Sequence, residues 1–463
     1  MELLLGIDLG TTFCKAGAVS LDGVELSHAR ERTPWRRAGG HTDADPRALL
    51  EACLAAARAA LAAAPAGRVL AVGVTSMAES GALLDAAGEP AAPAIAWHDP
   101  RGRDEAHALL ERMGGAARLS QLTGLEPTPI YSLFKYRWLR DHEPGAARGV
   151  RWLSLAEWVV HALGGRAVAE PSLASRTALL DVHRRAWSPE LLDLAGAPPG
   201  MMPELLEAGS PAGTVRRGLQ EARGAVLAVA GHDHSCAAIG AGAVLSGDVF
   251  DSCGTAEGFL RVLTPPVAPE RVAQAAQGGV SLVWHVLPGR HALLGGFESG
   301  LALQRFLDLL GVGSNGDGRE RLDQAALELS PDALGMAVDQ VAGERATLAG
   351  IPHDASPAAA WRAALEALAA LGVGMLATIE AVAGPMQRPV VAGGGARGAG
   401  VLGVKRRALG PFELSSVHEP GVRGAALVAG CAAGAYPSLD ELPAPGAPLA
   451  EPSAVAGDPC WGR

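Results

Sequence analysis

A chain of 463 residues with a formal net charge of −10 is too long for one compact core and suits two domains of roughly 200 residues each. Lysine and arginine are thinly spread, which argues against a nucleic-acid surface. Apolar residues make up 49%, mostly Ala, Val and Leu broken by 60 Gly, 32 Pro and scattered charge, so no membrane span is expected. Six cysteines (Cys14, Cys53, Cys236, Cys253, Cys431, Cys460) without a CxxC pair read as reduced thiols and disfavour a zinc site. Asp8 interrupts the only apolar N-terminal run, so no signal peptide is expected and the chain reads as cytoplasmic, with a small-molecule partner.

Leu3 to Leu9 forms the first predicted strand, and Gly10-Thr11-Thr12 stands at its exit. Phe13 to Val19 has no helical spacing and leads into Leu21-Asp22-Gly23, so the local unit is strand, turn, strand, turn, strand. A P-loop or a dinucleotide turn would open a helix at this point, and both are excluded. Pro46 to Ala63 carries leucines and alanines on one stripe and is expected to be a helix covering a mixed sheet.

AVLAVAGHDHSCAAIGAGAVL, residues 225 to 245, holds one acid, Asp233, in an otherwise uncharged stretch. A lone carboxylate at the tip of an apolar strand suits a general base, and it equally suits a helix N-cap. A metal site on His232 and His234 lacks further ligands. GDVFDSCGTAEGFL then repeats the opening pattern, a strand running into Gly254-Thr255 and out into a second strand, which points to a duplicated domain. Gly295 to Leu310 and Ala358 to Ala383 are helix-like. PVVAGGGARGAG supplies a third glycine cluster, where a flat ring could lie on main chain. Each glycine stretch alone is either a tight turn or a ligand site.

Together these segments resemble the FGGY carbohydrate kinases, the family of xylulokinase, glycerol kinase and gluconokinase. GIDLGTTFCKAG is similar to the first phosphate motif, AGHDH to the catalytic segment, DSCGTAEG to the second phosphate motif, and VAGGGARG with VRGAALVAG to the adenosine motif. TSMAESGALLDAAGEPAAPAIAWHDPR resembles the substrate-side segment. The resemblance implies an α/β, two-domain actin/hexokinase-like (ribonuclease H-like) fold with an interdomain active-site cleft. Residues 1–245 would form the sugar- and phosphate-binding domain, 246–436 the ATP-binding domain, and 437–463 a Pro/Ala-rich tail acting as a surface strap or disordered.

The same resemblance implies the site. Asp233 would be the catalytic base and touch the substrate, and Asp8 would hold Mg²⁺. Gly10, Thr11, Thr12, Lys15, Gly254 and Thr255 would meet the phosphates of ATP, and Gly394, Gly395 and Ala396 would flank adenine and ribose. Glu79, Trp97 and Asp99 would bind the sugar or polyol, with Arg101 bracing their loop; Trp97 could instead be a core aromatic and Arg101 a surface ion pair. Three departures stand out: Glu79 lacks the arginine that precedes the polyol-binding acid of glycerol kinases, Ala256 removes a serine hydroxyl, and Lys405-Arg406-Arg407 replaces an acidic helix. The basic cluster is expected to be a solvated helix face. The implied activity is ATP-dependent phosphorylation of a sugar or polyol, without nucleic-acid or membrane partners and with a homodimer as the assembly considered. The alternatives are a nucleotide-gated ATPase of the actin and Hsp70 sort, or a catalytically weak sugar sensor.

Overall fold

The computed structural model describes residues 1–254, 256–313, 317–330, 336–339, 341 and 346–449. Thr255 and Cys460 lie outside the described residues. The chain divides into two compact units: Met1–Ser246 with Val262–Leu293 and Glu419–Pro445, and Gly247–Arg261 with Leu294–His418 and the segment from Gly446. This grouping is not contiguous in sequence. The segment Glu419–Pro445 joins the first unit because its helix packs on strands from the chain's beginning.

In the first unit a six-stranded sheet runs in the order Gly213–Thr214, Val226–His232, Arg68–Ser76, Glu2–Leu9, Phe13–Ser20, Glu25–Arg32. Glu2–Leu9 pairs antiparallel with Phe13–Ser20, as the turn at Gly10 requires, and parallel with Arg68–Ser76, which is itself parallel to Val226–His232. The register sets Leu9 and His232 both opposite Ser76. The Gly10 turn, the Met77–Glu79 segment and Asp233 therefore all leave from the carboxyl ends of three adjacent parallel strands, the edge where open α/β sheets bind ligands.

Two helices enclose this sheet. Pro46–Ala63, capped by Asp45 with Pro46 in its first turn, buries Leu49, Cys53, Leu54, Ala57 and Ala60 in a core shared with Leu5, Ile7 and Val74. Pro420–Ala432 presses on the sheet with backbone rather than side chains. A Cβ on Gly73 would fall 1.9 Å from the carbonyl oxygen of Ala425, and one on Gly6 1.9 Å from that of Val422. Arg423 is fully buried there and donates to the carbonyl oxygens of Gly23, Gly240, Pro443 and Ala444, so the tail is strapped to the first unit as far as Pro445.

The second unit repeats the hairpin logic. Asp248–Cys253 turns at Gly254 into Glu257–Leu263, antiparallel, and pairs in parallel with Arg388–Ala392, which pairs in parallel with Glu413–Leu414. Helices Ser299–Leu309, Asp317–Leu327, Pro357–Ala383 and Ala399–Leu409 form its main core around Phe306, Trp361, Leu365 and Val404. Pro357–Ala383 is long and apolar enough to cross a membrane by composition, yet it buries Trp361, Arg362, Leu365 and Leu368 against its neighbours.

The close approach at Gly73 is directly testable. Gly73→Ala is expected to lower unfolding stability by about 2 kcal/mol or more, because the colliding atom is a backbone carbonyl that no rotamer change can move. A urea midpoint equal to that of the wild type would contradict the backbone-packed interface.

Candidate active site

The first unit gathers most of the acceptor-side residues at one strand edge. Gly10 N donates to the Phe13 carbonyl at 3.1 Å, closing the turn. Thr33 Oγ1 and Trp35 Nε1 donate to the carbonyls of Gly10 and Thr11, each at 2.8 Å, fixing it from behind. Trp97 Nε1 donates to Thr11 Oγ1 at 2.8 Å, so the indole is tied to the turn while its ring packs on the core. Lys15 pairs with Glu419 at 2.6 Å. Asp8 has one carboxylate oxygen, Oδ1, sealed and without a partner, and burial pushes its pKa up to about 7 against the pull of Lys15, with Asp233 and Glu419 adding to the rise.

Asp233 is the first residue of the helix Asp233–Ala241, and the helix is capped at His232 rather than at Asp233. Oδ1 lies 3.1 Å from His232 Nε2 and accepts from the His234 backbone N–H at 2.7 Å. Among the described residues no hydrogen bond is made to Oδ2, and 26% of the side chain is exposed. Burial works against the charge, but the two histidines and these hydrogen bonds outweigh it and hold the pKa down to about 2. Burial pushes His234 itself downward. At neutral pH Asp233 is therefore a carboxylate at a helix N-terminus with one oxygen engaged and one open.

Glu79 is buried, with a left-handed backbone (φ 61°) that is costly for a side chain of this size. Ser132 Oγ donates to its carbonyl at 3.0 Å. Its carboxylate receives Arg176 Nε at 2.5 Å. Arg176 lies almost a hundred residues further along the chain. No local pattern marks it. Lys135 is buried behind this corner, donating to the carbonyls of Trp97 (3.1 Å) and Ile130, and burial lowers its pKa to about 7.

Two expectations need correction. Asp99 has a fully buried side chain whose oxygens accept from the Thr42 backbone, the Arg101 backbone at 2.8 Å, and Arg101 Nε and NH2 at 2.9 and 2.8 Å. Arg101 also reaches Asp43 at 3.0 Å. Asp99 is thus a brace for the loop after Trp97, with no lone pair offered to a substrate, and Arg101 is a buried partner rather than a surface one. Lys405 is likewise no solvated residue: it is 4% exposed, donates to Asp251 and to Glu257 at 2.7 Å, and lies over the Phe259 ring. Its neighbour Arg407 pairs with Glu366.

Within the second unit, Lys405 and Glu257 form the polar wall of a pocket. Gly254, Gly300 and Gly395 expose main chain to it, and Leu303, Leu365 and Leu368 supply apolar surface. A Cβ on Gly394 would meet nothing within 4 Å, so that position is open, whereas Ala396 is buried with Cys253, Val391 and Leu402 and its methyl serves packing. Burial raises Glu257 to about 7, with Asp251 adding and Lys405 opposing. A flat, partly apolar ligand with a polar edge matches this lining.

The profile of the FGGY family of carbohydrate kinases, N-terminal domain, matches residues 3–240. The chain belongs to this family. Among FGGY relatives, the glycerol kinase of Aromatoleum aromaticum is 32% identical over 419 residues, covering 86% of this chain and 83% of that one. The xylulose kinase of Streptomyces rubiginosus is 31% identical over 260 residues, 55% of this chain and 53% of its own. Solved FGGY structures share the fold. The xylulose kinase from Rhodospirillum rubrum superposes with a TM-score of 0.82 at 24% identity, covering 96% of this chain and 94% of that chain. Plasmodium falciparum glycerol kinase with ADP gives 0.83 at 17%, covering 97% and 94%. The actin/hexokinase-like α/β fold follows from these likenesses.

Two measurements probe the buried cations. Lys135 titrates near 7 in the folded chain and near 10.4 unfolded, so from pH 7 to 10 the unfolded state holds one more proton and stability should rise by about 1.4 kcal/mol per pH unit from this group. Below pH 7 the contribution is flat. Lys135→Met should remove that slope, and equal pH profiles for the two proteins would refute the shifted lysine. Lys405→Met strands two carboxylates and is expected to cost about 3–5 kcal/mol in denaturant unfolding; a loss below 1 kcal/mol would mean that the pair is not formed.

Proposed function

We propose that this protein transfers the γ-phosphoryl group of ATP to a hydroxyl of a sugar or polyol. The observation carrying this reading is the open Oδ2 of Asp233, an ionised carboxylate at the same strand edge as the Gly10 turn and Glu79. A hydroxyl donating to Oδ2 would have its oxygen oriented for attack, and the carboxylate would take the proton as the bond to phosphorus forms. A base of low pKa suffices because proton transfer is late in a loose, metaphosphate-like transition state. His232 Nε2–H and the His234 amide hold Oδ1, leaving Oδ2 for the substrate.

The nucleotide would use the second-unit pocket for its base and ribose, on Gly394 and Gly395, with Gly254 and Thr255 toward the phosphates. In the first unit, the Gly10–Thr12 turn is the phosphate-binding candidate. With Ala256 in place of a serine, main-chain N–H groups carry more of that contact. Residues 1–245 and 246–436 would thus be the acceptor-and-phosphate and nucleotide portions. The sealed, partnerless Oδ1 of Asp8 fits a hard divalent cation, held by one carboxylate and by phosphate oxygens. Mg²⁺ there would spread the charge on the transferring group. Lys15, half-engaged by Glu419, would add positive charge beside it.

Coupled ADP release across glycerol, erythritol, pentuloses, hexuloses and gluconate tests the activity. Asp233→Asn should cut kcat by roughly two to four orders of magnitude with little change in thermal unfolding, because it does not cap the helix. A folded Asn variant with wild-type kcat would overturn the base assignment. Substrate binding without any acceptor-dependent ADP release would instead favour a sugar sensor.

A further inference from the structure

Arg176 is 7% exposed and uses only one of its five N–H groups within the protein, Nε on Glu79. Among the described residues its terminal NH1 and NH2 make no hydrogen bond, and neither is sealed from solvent. The guanidinium stacks 5.1 Å from the Tyr131 ring centroid, which fixes its plane, and Tyr131 is anchored in turn by its hydroxyl on the Glu126 carbonyl at 3.0 Å. Glu79 is similar: Oε1 takes Arg176, and Oε2 has neither a partner nor a seal. An arginine this deeply buried, with its terminal donors unpaired in the protein, is placed to receive acceptor atoms from a ligand.

The electrostatics around the pair select what that can be. Glu79 already neutralises Arg176, and the carboxylates of Glu126 and Asp233 lie in the same neighbourhood: Glu126 interacts with Arg176 and Glu79, and His234, next to Asp233, interacts with both as well. Burial works against a positive charge on His234. Lys135 adds at most one, and its ammonium is spent on carbonyls. The corner is therefore rich in carboxylate, and an acceptor bearing its own carboxylate would enter an unfavourable field.

We infer that Arg176 and Glu79 form a donor–acceptor clamp for two adjacent oxygens of a neutral polyhydroxy acceptor, one hydroxyl donating to Glu79 Oε2 and its neighbour accepting from the terminal nitrogens of Arg176. This rests on the kinase reading for the identity of the site. It goes further by making Arg176 a specificity-determining residue and by excluding aldonates in favour of polyols or ketoses. The strained backbone at Glu79 serves the same end, since it aims the carboxylate into the fork and is held by Ser132 and Arg176.

Calorimetric titration of wild type and Arg176→Lys with glycerol, erythritol, D-xylulose and gluconate tests this, with ADP release measured in parallel. Lysine keeps the charge on Glu79 but loses the fork. Neutral acceptors should bind to wild type at least about tenfold more tightly than gluconate, and Arg176→Lys should weaken them by about tenfold while affinity for a non-hydrolysable ATP analogue and the Tm are kept. Gluconate binding as tightly as the neutral compounds, no binding of any of the four, or unchanged affinity in Arg176→Lys would overturn the clamp. The acceptor ranking on wild type decides the charge argument even if the variant fails to fold. Tight neutral binding without ADP release would leave the clamp standing and defeat the kinase reading; release with gluconate alone would do the reverse.

Discussion

The first unit depends on one constraint: a helix near the end of the chain must touch the backbone of a sheet made largely at its beginning. Gly6 and Gly73 let the helix onto the strands, and Gly240 and Gly424 let it pack against the helix Asp233–Ala241; a Cβ on Gly424 would lie 1.8 Å from the Cys236 carbonyl oxygen. The consequence is electrostatic as much as steric. With Pro420–Ala432 so close, its first turn brings Gly421 against Asp8 and Glu419 against Lys15. The raised pKa of Asp8 and the pairing of Lys15 both follow from small residues several turns away.

Charge is then confined to a few buried clusters, each in a different state of completion. Asp99, Arg101 and Asp43 satisfy one another and stiffen a loop. Lys405, Asp251 and Glu257 tie the helix Ala399–Leu409 to the hairpin that turns at Gly254, so the pocket's polar wall is also a structural joint. Arg176 with Glu79, and Asp233 with the two histidines, remain incomplete, each with atoms that no protein group occupies. Completed clusters build the frame; incomplete ones are the places where a ligand could supply the missing partner, as the proposed function has it.

That distinction explains what could be read from the sequence. The strand, turn and strand at Gly10, its echo at Gly254, and the helices Pro46–Ala63 and Pro357–Ala383 are local patterns of period two or 3.6, and they are legible because the signal lies within each segment. Asp233 was visible for the same reason, as the one acid in an apolar stretch. Arg176 was not, because its meaning comes from Glu79 at long sequence separation, and the bracing of Asp99 was not, because it rests on Thr42 of a distant strand and on Arg101, which is itself held by Asp43. Lys405 looked solvated beside two arginines, and only the pairing of Arg388–Ala392 with Asp248–Cys253 brings its helix over the acids. A charged residue's function is set by who else is buried with it.

The two hairpins show how the same backbone solution is adapted to unequal tasks. At Gly10 the turn closes by its own amide on the Phe13 carbonyl, its carbonyls are claimed from behind by Thr33 and Trp35, and the hydroxyl of Thr11 is held by Trp97. Trp97 belongs to the loop braced by Asp99 and Arg101, and Lys135 holds its carbonyl. The Gly10 turn and the loop after Trp97 are therefore one mechanical unit: a shift in the loop would move Thr11. At Gly254 the turn closes by its own amide on the Ala256 carbonyl at 2.9 Å, and its stiffness comes instead from the Lys405 cluster at its base. Ala256 brings no side-chain hydroxyl to the second turn, whose main chain is positioned by the Lys405 frame.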